Sequence, residues 1–417
     1  MNYSISQNSR RVDFVVVGAG VVGASVAREL ALRGVSVLVL DRSPRLGGGC
    51  SYANAAIVAP HHVTPLATPT LLREAPIQML RRPPAVRVTP EVSLIPWMGR
   101  LLSSTRGAKL ASARLSELAK VSTELHLQLA ADGLTDLRKS GAVDVYLRSS
   151  PKPSHKALTL DRLQELEPSI EGVVGATYDS EEWIVESRGY IAAMLDDAAH
   201  HGAEISLGVN VERVLVDGGH VEGLVTPNGM IRADHVVLAG GLDTAALAGQ
   251  VGLRLPLRGG RGYVVDVEKP KFGGPSRPVR IKEHRIVVTP LSDRVRICGS
   301  IEFGKESRLA KDSRGELLRQ VALTVLPALR DQPVIDRWAG ERPCTSDGVP
   351  IVGTSGLVGN LSVAAGHGMW GMILAPVTAR LVALAAVEGK PKPHMEWLGP
   401  DRFSSRQRML ARRGPRS

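Results

Sequence analysis

The apolar positions of residues 12–41, VDFVVVGAGVVGASVARELALRGVSVLVLD, change period twice. A β-branched run comes first and predicts a buried strand. Apolar residues at helical spacing follow as far as Arg33-Gly34, and a second apolar run ends on Asp41. Gly18, Gly20 and Gly23 stand at the first junction, so the segment reads as a strand-turn-helix-strand unit. In such a unit the first glycine permits the tight turn, the second lets the backbone approach a pyrophosphate, and the third lets the helix lie close on the strand. The helix N-terminus then offers N–H groups and its positive dipole end to the phosphates, and the terminal acid accepts a ribose hydroxyl. A dinucleotide site is expected, built from Gly18, Ala19, Gly20, Val21, Val22, Gly23, Asp41 and Arg42.

Further along, residues 42–60, RSPRLGGGCSYANAAIVAP, are a glycine-rich loop followed by small residues, able to lie flat against a planar ligand. Pro60, Pro65, Pro69, Pro76, Pro83, Pro84, Pro90 and Pro96 interrupt the next stretch and predict no long helix there. Helical spacing returns over residues 101–132, with Leu115, Leu118, Val121, Leu125 and Leu129 on one face. A strand is expected over 141–147 and a short helix over 160–167, stopped before Pro168. Residues 187–226 read as a capped helix, a strand and a hairpin around Asp217-Gly218-Gly219. The apolar strand 236–239 then ends at Gly240-Gly241, where a second backbone segment can reach the dinucleotide, which favours a flavin over a nicotinamide. From residue 255 the chain is strand-rich, with a turn at Ser292-Asp293 and a helix over 313–326 before Pro327. The last block holds a strand at 361–364, a glycine turn at Gly366, Gly368 and Gly371, and a long apolar helix whose N-terminus can face an electron-rich atom.

No linker or low-complexity tract divides the 417 residues, so the domains are expected to be interwoven. Cys50, Cys298 and Cys344 form no CxxC pair and have no zinc-like spacing, which argues for a reducing compartment and against a disulfide framework or metal site. The polar start leaves no room for a signal peptide, and no apolar stretch is expected to reach the length of a membrane span. The net charge of +11 concentrates in residues 71–120, through Arg81, Arg82, Arg87, Arg100, Arg106, Lys109, Arg114 and Lys120, and in the C-terminal tail. A solvated basic surface accounts for it. So does contact with an anionic membrane or an acidic partner, since the 71–120 region mixes these cations with Leu, Ile and Trp97. Nucleic acid fits less well, because no aromatic-basic interleaving accompanies the charge.

Five blocks carry a resemblance in chain order: GAGVVGASVARELALRGVSVLVLD, GGGCSYANAAIVAP, VESRGYIAAMLDDAAHHGAEI, ERPCTSDGVPIVG and AAGHGMWGMILAP. From end to end the chain resembles the D-amino acid oxidase superfamily of FAD-dependent amine oxidoreductases. The second block, with Ser51, Ala53 and Asn54, looks most like the D-amino acid dehydrogenase and hydroxyproline dehydrogenase branch; the fourth and fifth also resemble glycine oxidase.

The resemblance implies an α/β fold with a Rossmann-like FAD-binding domain over 1–70, 186–250 and 336–417. A second, α+β substrate domain on a mostly antiparallel sheet takes 71–185 and 251–335. It adds Val211, Ala239, Gly240, Gly366, Gly368, Met369, Trp370 and Gly371 to the FAD contacts. FAD is expected to be non-covalent, because Cys344 is out of register with the attachment cysteine of sarcosine-oxidase relatives. Arg342 stands where the family clamps the substrate carboxylate, and a planar guanidinium suits that task. Tyr263, in RGYVV, stands near a family tyrosine that reaches the substrate, and His367, in the GHG turn, is a third candidate, read as shaping the loop. Met369 replaces a second arginine of glycine oxidase.

The implied reaction is oxidation of a D-amino or cyclic imino acid, such as a D-alanine-like substrate, D-proline or hydroxy-D-proline. A hydride passes from Cα to flavin N5, and water hydrolyses an acyclic imine product. The cofactor carries the chemistry and the protein orients the substrate. Electrons go on to a quinone, a protein or oxygen. Two alternatives stand beside this reading: a glycine- or sarcosine-type oxidase using oxygen, and the flavin subunit of a heteromeric dehydrogenase. The expected place is the cytoplasm, with peripheral contact at the inner face of the membrane as the sharper form.

Overall fold

The computed structural model describes residues 11–80, 84–305, 310–389 and 395–404; Arg81, Arg82, Pro83 and the tail beyond 404 lie outside the described residues. The opening pattern folds as expected into strand β1 (Arg11–Val17), helix α1 (Val21–Ala31) and strand β2 (Val37–Asp41). The two strands pair in parallel, from Phe14↔Val37 to Val17↔Leu40. Glu204–Leu207 adds in parallel outside β2, Gly229–Leu238 on the far side of β1, and Leu361–Ala365 beyond that. The hairpin Arg213–Asp217 and His220–Thr226 extends the edge over Gly218-Gly219, both at positive φ.

This sheet is buried on both faces, which is why its strands read as continuous apolar runs. Phe14 and Val16 pack with α1, Ser187–His200 and the C-terminal helix Gly371–Glu388. Val15 and Val17 face Leu247 and the hairpin residues Val214 and Leu224.

A second sheet runs, neighbour by neighbour, through Val334–Thr345, Leu257–Glu268, Arg294–Phe303, Ile286–Pro290, Val279–Ile281, Ala142–Tyr146, Gly175–Asp179 and Ala157–Leu158. Its pairings are antiparallel except where Val279–Ile281 meets Ala142–Tyr146 and where Val86–Val88 joins Arg294–Phe303. Leu318, Ala322 and Leu323 of helix Ala310–Leu323 cover one face. On the other, Val264 and Cys298 meet the loop of Ala53. The ladder between Leu257–Glu268 and Val334–Thr345 runs from Leu257↔Thr345 to Asp266↔Asp336 and, after a register shift, to Val267↔Val334, so the boundary expected at 336 falls inside a strand of this sheet.

Three expectations change. Pro69–Leu80 is a helix with Pro76 inside it; the proline removes one i→i−4 bond and leaves the other turns of this 12-residue helix in place. Residues 101–132 divide between the helices Ile95–Ser104 and Ala108–Ala131, and the second turns Ala119, Ser122, Thr123 and His126 inward with Leu115 and Leu129 while Val121 is exposed. Small and polar residues face inward because Gly371–Glu388 lies against them: Ser122 Oγ accepts from Val377 N–H at 3.2 Å, and His126 Nε2 lies 3.0 Å from the Met372 carbonyl oxygen. Gly371–Glu388 itself has the length and composition to cross a bilayer, against expectation, yet it is a core helix whose Ile373, Leu374, Val377 and Val382 are buried.

Candidate active site

The strands β1, β2 and Gly229–Leu238 are parallel, so their C-terminal ends meet. Gly18 N–H donates to Leu40 O at 2.7 Å, and Ala239 N–H to Val17 O at 2.8 Å. A Cβ at Gly18, whose φ is +110°, would sit 2.6 Å from Ala239 O, and one at Gly23 would collide with Gly18 O. Those two glycines let backbones touch. Gly20 differs: a Cβ there meets only Ser51, at 3.1 Å from Oγ, so its bareness leaves the start of α1 open. Val21 N–H donates to Ser51 Oγ at 3.2 Å, and Val22 is buried against the core.

Asp41 takes Ala19 N–H on Oδ2 at 2.6 Å and Ser43 N–H on Oδ1 at 2.8 Å, which leaves each oxygen a further lone pair. Arg42 pairs with Asp243 at 3.0 Å beside Gly240. Val211 packs with Val17, Leu40 and Leu238, at the end of a segment tied by Val209 N–H to Asp41 O. A bare turn, an open helix N-terminus and an acid at the end of the second strand fit a dinucleotide.

A cavity of about 450 Å³ runs from Val21 past Cys50, Ser51, Ala53 and Asn54 to Arg342. Two paired strands make its floor, with Gly340 opposite Gly262 and Trp338 opposite Val264. Strand alternation turns Trp338, Gly340 and Arg342 to the cavity together. A Cβ at Gly262 would overlap the Arg342 guanidinium, and one at Gly340 the Trp338 ring. Both flat groups therefore lie over bare backbone.

Arg342 Nη1 donates to Ser300 O at 3.1 Å, and no carboxylate pairs with Arg342 among the described residues. The other cavity arginines are neutralised. Arg280 holds Glu182 through both Nη atoms at 2.6 and 2.7 Å and also Asp144, and Arg285 meets Glu74 at 2.9 Å. His62, Asp179 and Glu182 offer ligand atoms within 4.8 Å of one another, but Arg280 and Lys156 already supply cations there. Burial pushes the Cys298 thiol up to about 11, Cys344 to about 12 and Cys50 upward as well, against the lowering pull of Arg342 on all three. Each stays protonated at neutral pH.

Ser51, Ala53 and Asn54 line the cavity on a loop pinned from behind. Asn54 Oδ1 accepts Ala56 N–H at 2.8 Å, Ala55 O accepts Thr289 Oγ1 at 2.7 Å, and Asn54 O accepts Arg296 Nη1 at 3.3 Å. Arg296 is itself fixed on Asp266 by two bonds of 2.8 Å. Gly368, Met369, Trp370 and Gly371 also line the cavity. Gly366, at φ +77°, turns the chain behind them, Gly368 N–H reaches Pro343 O at 2.9 Å, and Trp370 Nε1 donates to Thr64 O at 2.7 Å. The turn is thus tied to the strand that carries Arg342.

Two sequence candidates are placed elsewhere. Tyr263 is on the far face of its strand, because Gly262 and Val264 take the cavity face. Its hydroxyl donates to Glu302 Oε2 at 2.9 Å, and burial with that bond pushes its pKa up to about 12. His367 is buried behind the turn, 2.9 Å from Thr378 Oγ1, and burial lowers it to about 4, so it is a neutral loop-shaping residue. Gly262, Ser300, Trp338 and Gln78 were missed. Counting by two back from Arg342 finds Gly340 and Trp338; nothing in the sequence marks Ser300, whose role depends on a cross-strand neighbour.

Residues 13–385 match the family model described as FAD dependent oxidoreductase. The D-amino acid dehydrogenase of Paramagnetospirillum magneticum is 32% identical over 420 residues, covering 94% of this chain and 99% of its own. That of Bradyrhizobium diazoefficiens is 26% identical, again over 94% and 99%. Among solved structures, glycine oxidase from Geobacillus kaustophilus superposes with a TM-score of 0.72 at 23% identity, over 94% of this chain and 99% of its own, a likeness of fold.

Proposed function

Because the chain belongs to the family of FAD-dependent oxidoreductases that it matches over residues 13–385, we propose that this enzyme oxidises a D-amino acid held by its carboxylate on Arg342. The observation that carries the reading is a cavity arginine with no acidic partner among the described residues, laid flat over Gly262, beside two arginines that are already paired. FAD is held by Gly18 to Gly23, Asp41, the Ser51–Asn54 loop, Val211, Ala239-Gly240 and the turn up to Gly371. When bound it supplies the two-electron acceptor for the amine-bearing carbon. We assign it a non-covalent attachment, since each cysteine is held protonated.

The chain's own side chains orient and desolvate. A bidentate guanidinium fixes the carboxylate and hence the face of Cα that is presented. Apolar walls at Leu66, Ala67, Leu101 and Ile373 strip water from the ammonium group, which favours the neutral amine that can be oxidised. His62 lies 3.2 Å from Glu182 and Arg280 is doubly paired, so neither is an uncommitted base. The D preference follows the names of the two sequence relatives, and cyclic D-imino acids such as D-proline belong to the same class. Met369, apolar and lining the cavity, supplies no second cation of the kind a tightly clamped glycine would want.

For the acceptor, Ile77, Leu80, Val92, Ile95, Leu102 and Leu110 are exposed among the exposed cations Arg87, Arg100, Arg106 and Lys109, which favours an acceptor at an anionic membrane over free oxygen. A panel of D- and L-amino acids, sarcosine and hydroxyprolines with a dye acceptor, run with and without oxygen, tests the reading. Dye reduction by D-amino acids without peroxide release is expected. Peroxide formed from glycine or sarcosine would replace it with an oxidase.

A further inference from the structure

Arg342 is held from two strands away. Its own strand, Val334–Thr345, is bonded to Leu257–Glu268, and that strand in turn to Arg294–Phe303, which carries Ser300. The guanidinium lies over bare Gly262 of the middle strand, and its Nη1 donates to Ser300 O at 3.1 Å. In a regular antiparallel ladder a carbonyl lies in the plane of the sheet and is taken by the next strand, out of reach of a side chain lying over the face. Ser300 departs from that pattern. Arg261 pairs with Glu302 and Tyr263 with Gly299, so Gly262 alone faces both Ser300 and Ile301. The extra residue makes a β-bulge, and Ser300 takes a φ of +61°, the left-handed conformation that turns a peptide out of the ladder. On the other side, the pairing with Ile286–Pro290 ends at Gly299. The bulge thus leaves a main-chain acceptor for Arg342.

The kind of acceptor matters. Arg280 and Arg285 are held by carboxylates, which fix them and neutralise them as well. A carbonyl fixes without neutralising, so Arg342 keeps its charge and its remaining N–H donors for an incoming anion.

We propose that Ser300 is a positioning residue for Arg342: its left-handed bulge presents the carbonyl that holds the guanidinium in one orientation, ready for the substrate carboxylate. The proposal rests on Arg342 as the carboxylate clamp. Without the tie a long side chain over bare backbone samples several rotamers, and binding must order it, a cost that falls on carboxylate ligands alone. The role belongs to the backbone of Ser300 and not to its hydroxyl, so it depends on which residues tolerate the conformation. Glycine adopts it freely and alanine at modest cost, as Ala56 does at a φ of +55°, whereas β-branched side chains resist it.

Two ligands without an α-amino group to oxidise test this. 3-Phenylpropionate and 3-phenylpropionamide differ in charge at one end, and each is titrated into the FAD-loaded enzyme while the flavin spectrum reports binding. The wild type should prefer the carboxylate by about tenfold or more, and Arg342→Ala should erase that preference. Ser300→Gly and Ser300→Ala should retain it, since both keep the bulge and its carbonyl. Ser300→Val and the milder Ser300→Thr should cut it several-fold by weakening the carboxylate alone. A cavity that was merely distorted would lose both ligands together. A preference that survives in both β-branched variants overturns the proposal, and so does its loss in Ser300→Gly, equal weakening of the two ligands, or failure of both β-branched variants to hold FAD. No preference in the wild type, or one that survives in Arg342→Ala, overturns the carboxylate clamp itself and takes the proposal with it.

Discussion

Arg342 owes its position to Gly262 on the facing strand. Replacing it with alanine should lower kcat/KM by roughly 2 to 5 kcal/mol of lost binding while FAD content stays intact, and lysine should restore only part, because it keeps the charge and loses the fork. Gly262→Ala offers a separate check. The added methyl would overlap the guanidinium, so kcat/KM should fall with Arg342 still present. Steady-state kinetics alongside the flavin-to-protein absorbance ratio measure both variants; a Gly262→Ala enzyme with wild-type kcat/KM would remove the shelf from the account. At this scale the place of Arg342 on the cavity wall was legible in ERP, since an arginine beside proline in a strand-like run matched a family pattern. Tyr263 was not, because which face of a strand meets the cavity depends on its partner strand: only the Gly262↔Gly340 pairing turns Tyr263 away. Gln78 was hidden by prolines that argued against any long helix around it.

Elements held by local signals were legible. The 12–41 unit, the Gly218-Gly219 hairpin and the turn before Gly371 each carry glycines whose backbone needs are local. Helix Pro69–Leu80 and the inward face of Ala108–Ala131 were misjudged because tertiary packing chose them: Ser122 and His126 face inward to meet Gly371–Glu388, which no window of sequence around them contains. The nucleotide element gives the prediction at this scale. Gly20→Val places a branched side chain against Ser51 and over the open start of α1, and Asp41→Ala removes an acceptor at the end of β2. Both should purify with less flavin, the valine variant with the least. Flavin released by acid into the supernatant, per mole of protein, is the measurement, and the wild type should release all of its colour. Full occupancy in Gly20→Val would contradict the cradle.

For the whole molecule, the two sheets draw strands from segments far apart in the chain, such as β1 with Gly229–Leu238, and that pairing has no local signature. Nor has the pairing of Asp336 with Asp266 inside the second sheet, where the boundary near 336 was expected. Packing on this scale also buries His126, His235 and His367, each lowered by burial to about 4. Unfolding lets them return toward 6.5, so they bind protons in the unfolded state first; the stability they contribute is present above pH 6.5 and is lost as pH falls toward 4, about 3 kcal/mol each at most. Urea midpoints at pH 7.5, 6 and 5 should fall in that order, and a flat series would place protonated histidines inside the core. The exposed apolar and basic side chains of residues 77–110 should bring the enzyme down with anionic vesicles at low salt and release it at high salt, without help from Trp97, which is buried with its Nε1 on Pro256 O at 3.0 Å. Sedimentation indifferent to lipid charge and salt would leave the basic surface merely solvated. The most direct test of the central claim is anaerobic mixing of the FAD-loaded enzyme with the D- and L-forms of one amino acid while the flavin's visible absorbance is followed. Rapid bleaching by the D-form alone, slowed severely in Arg342→Ala, is expected; bleaching by the L-form alone, or by neither across the amino acid panel, would overturn the assignment.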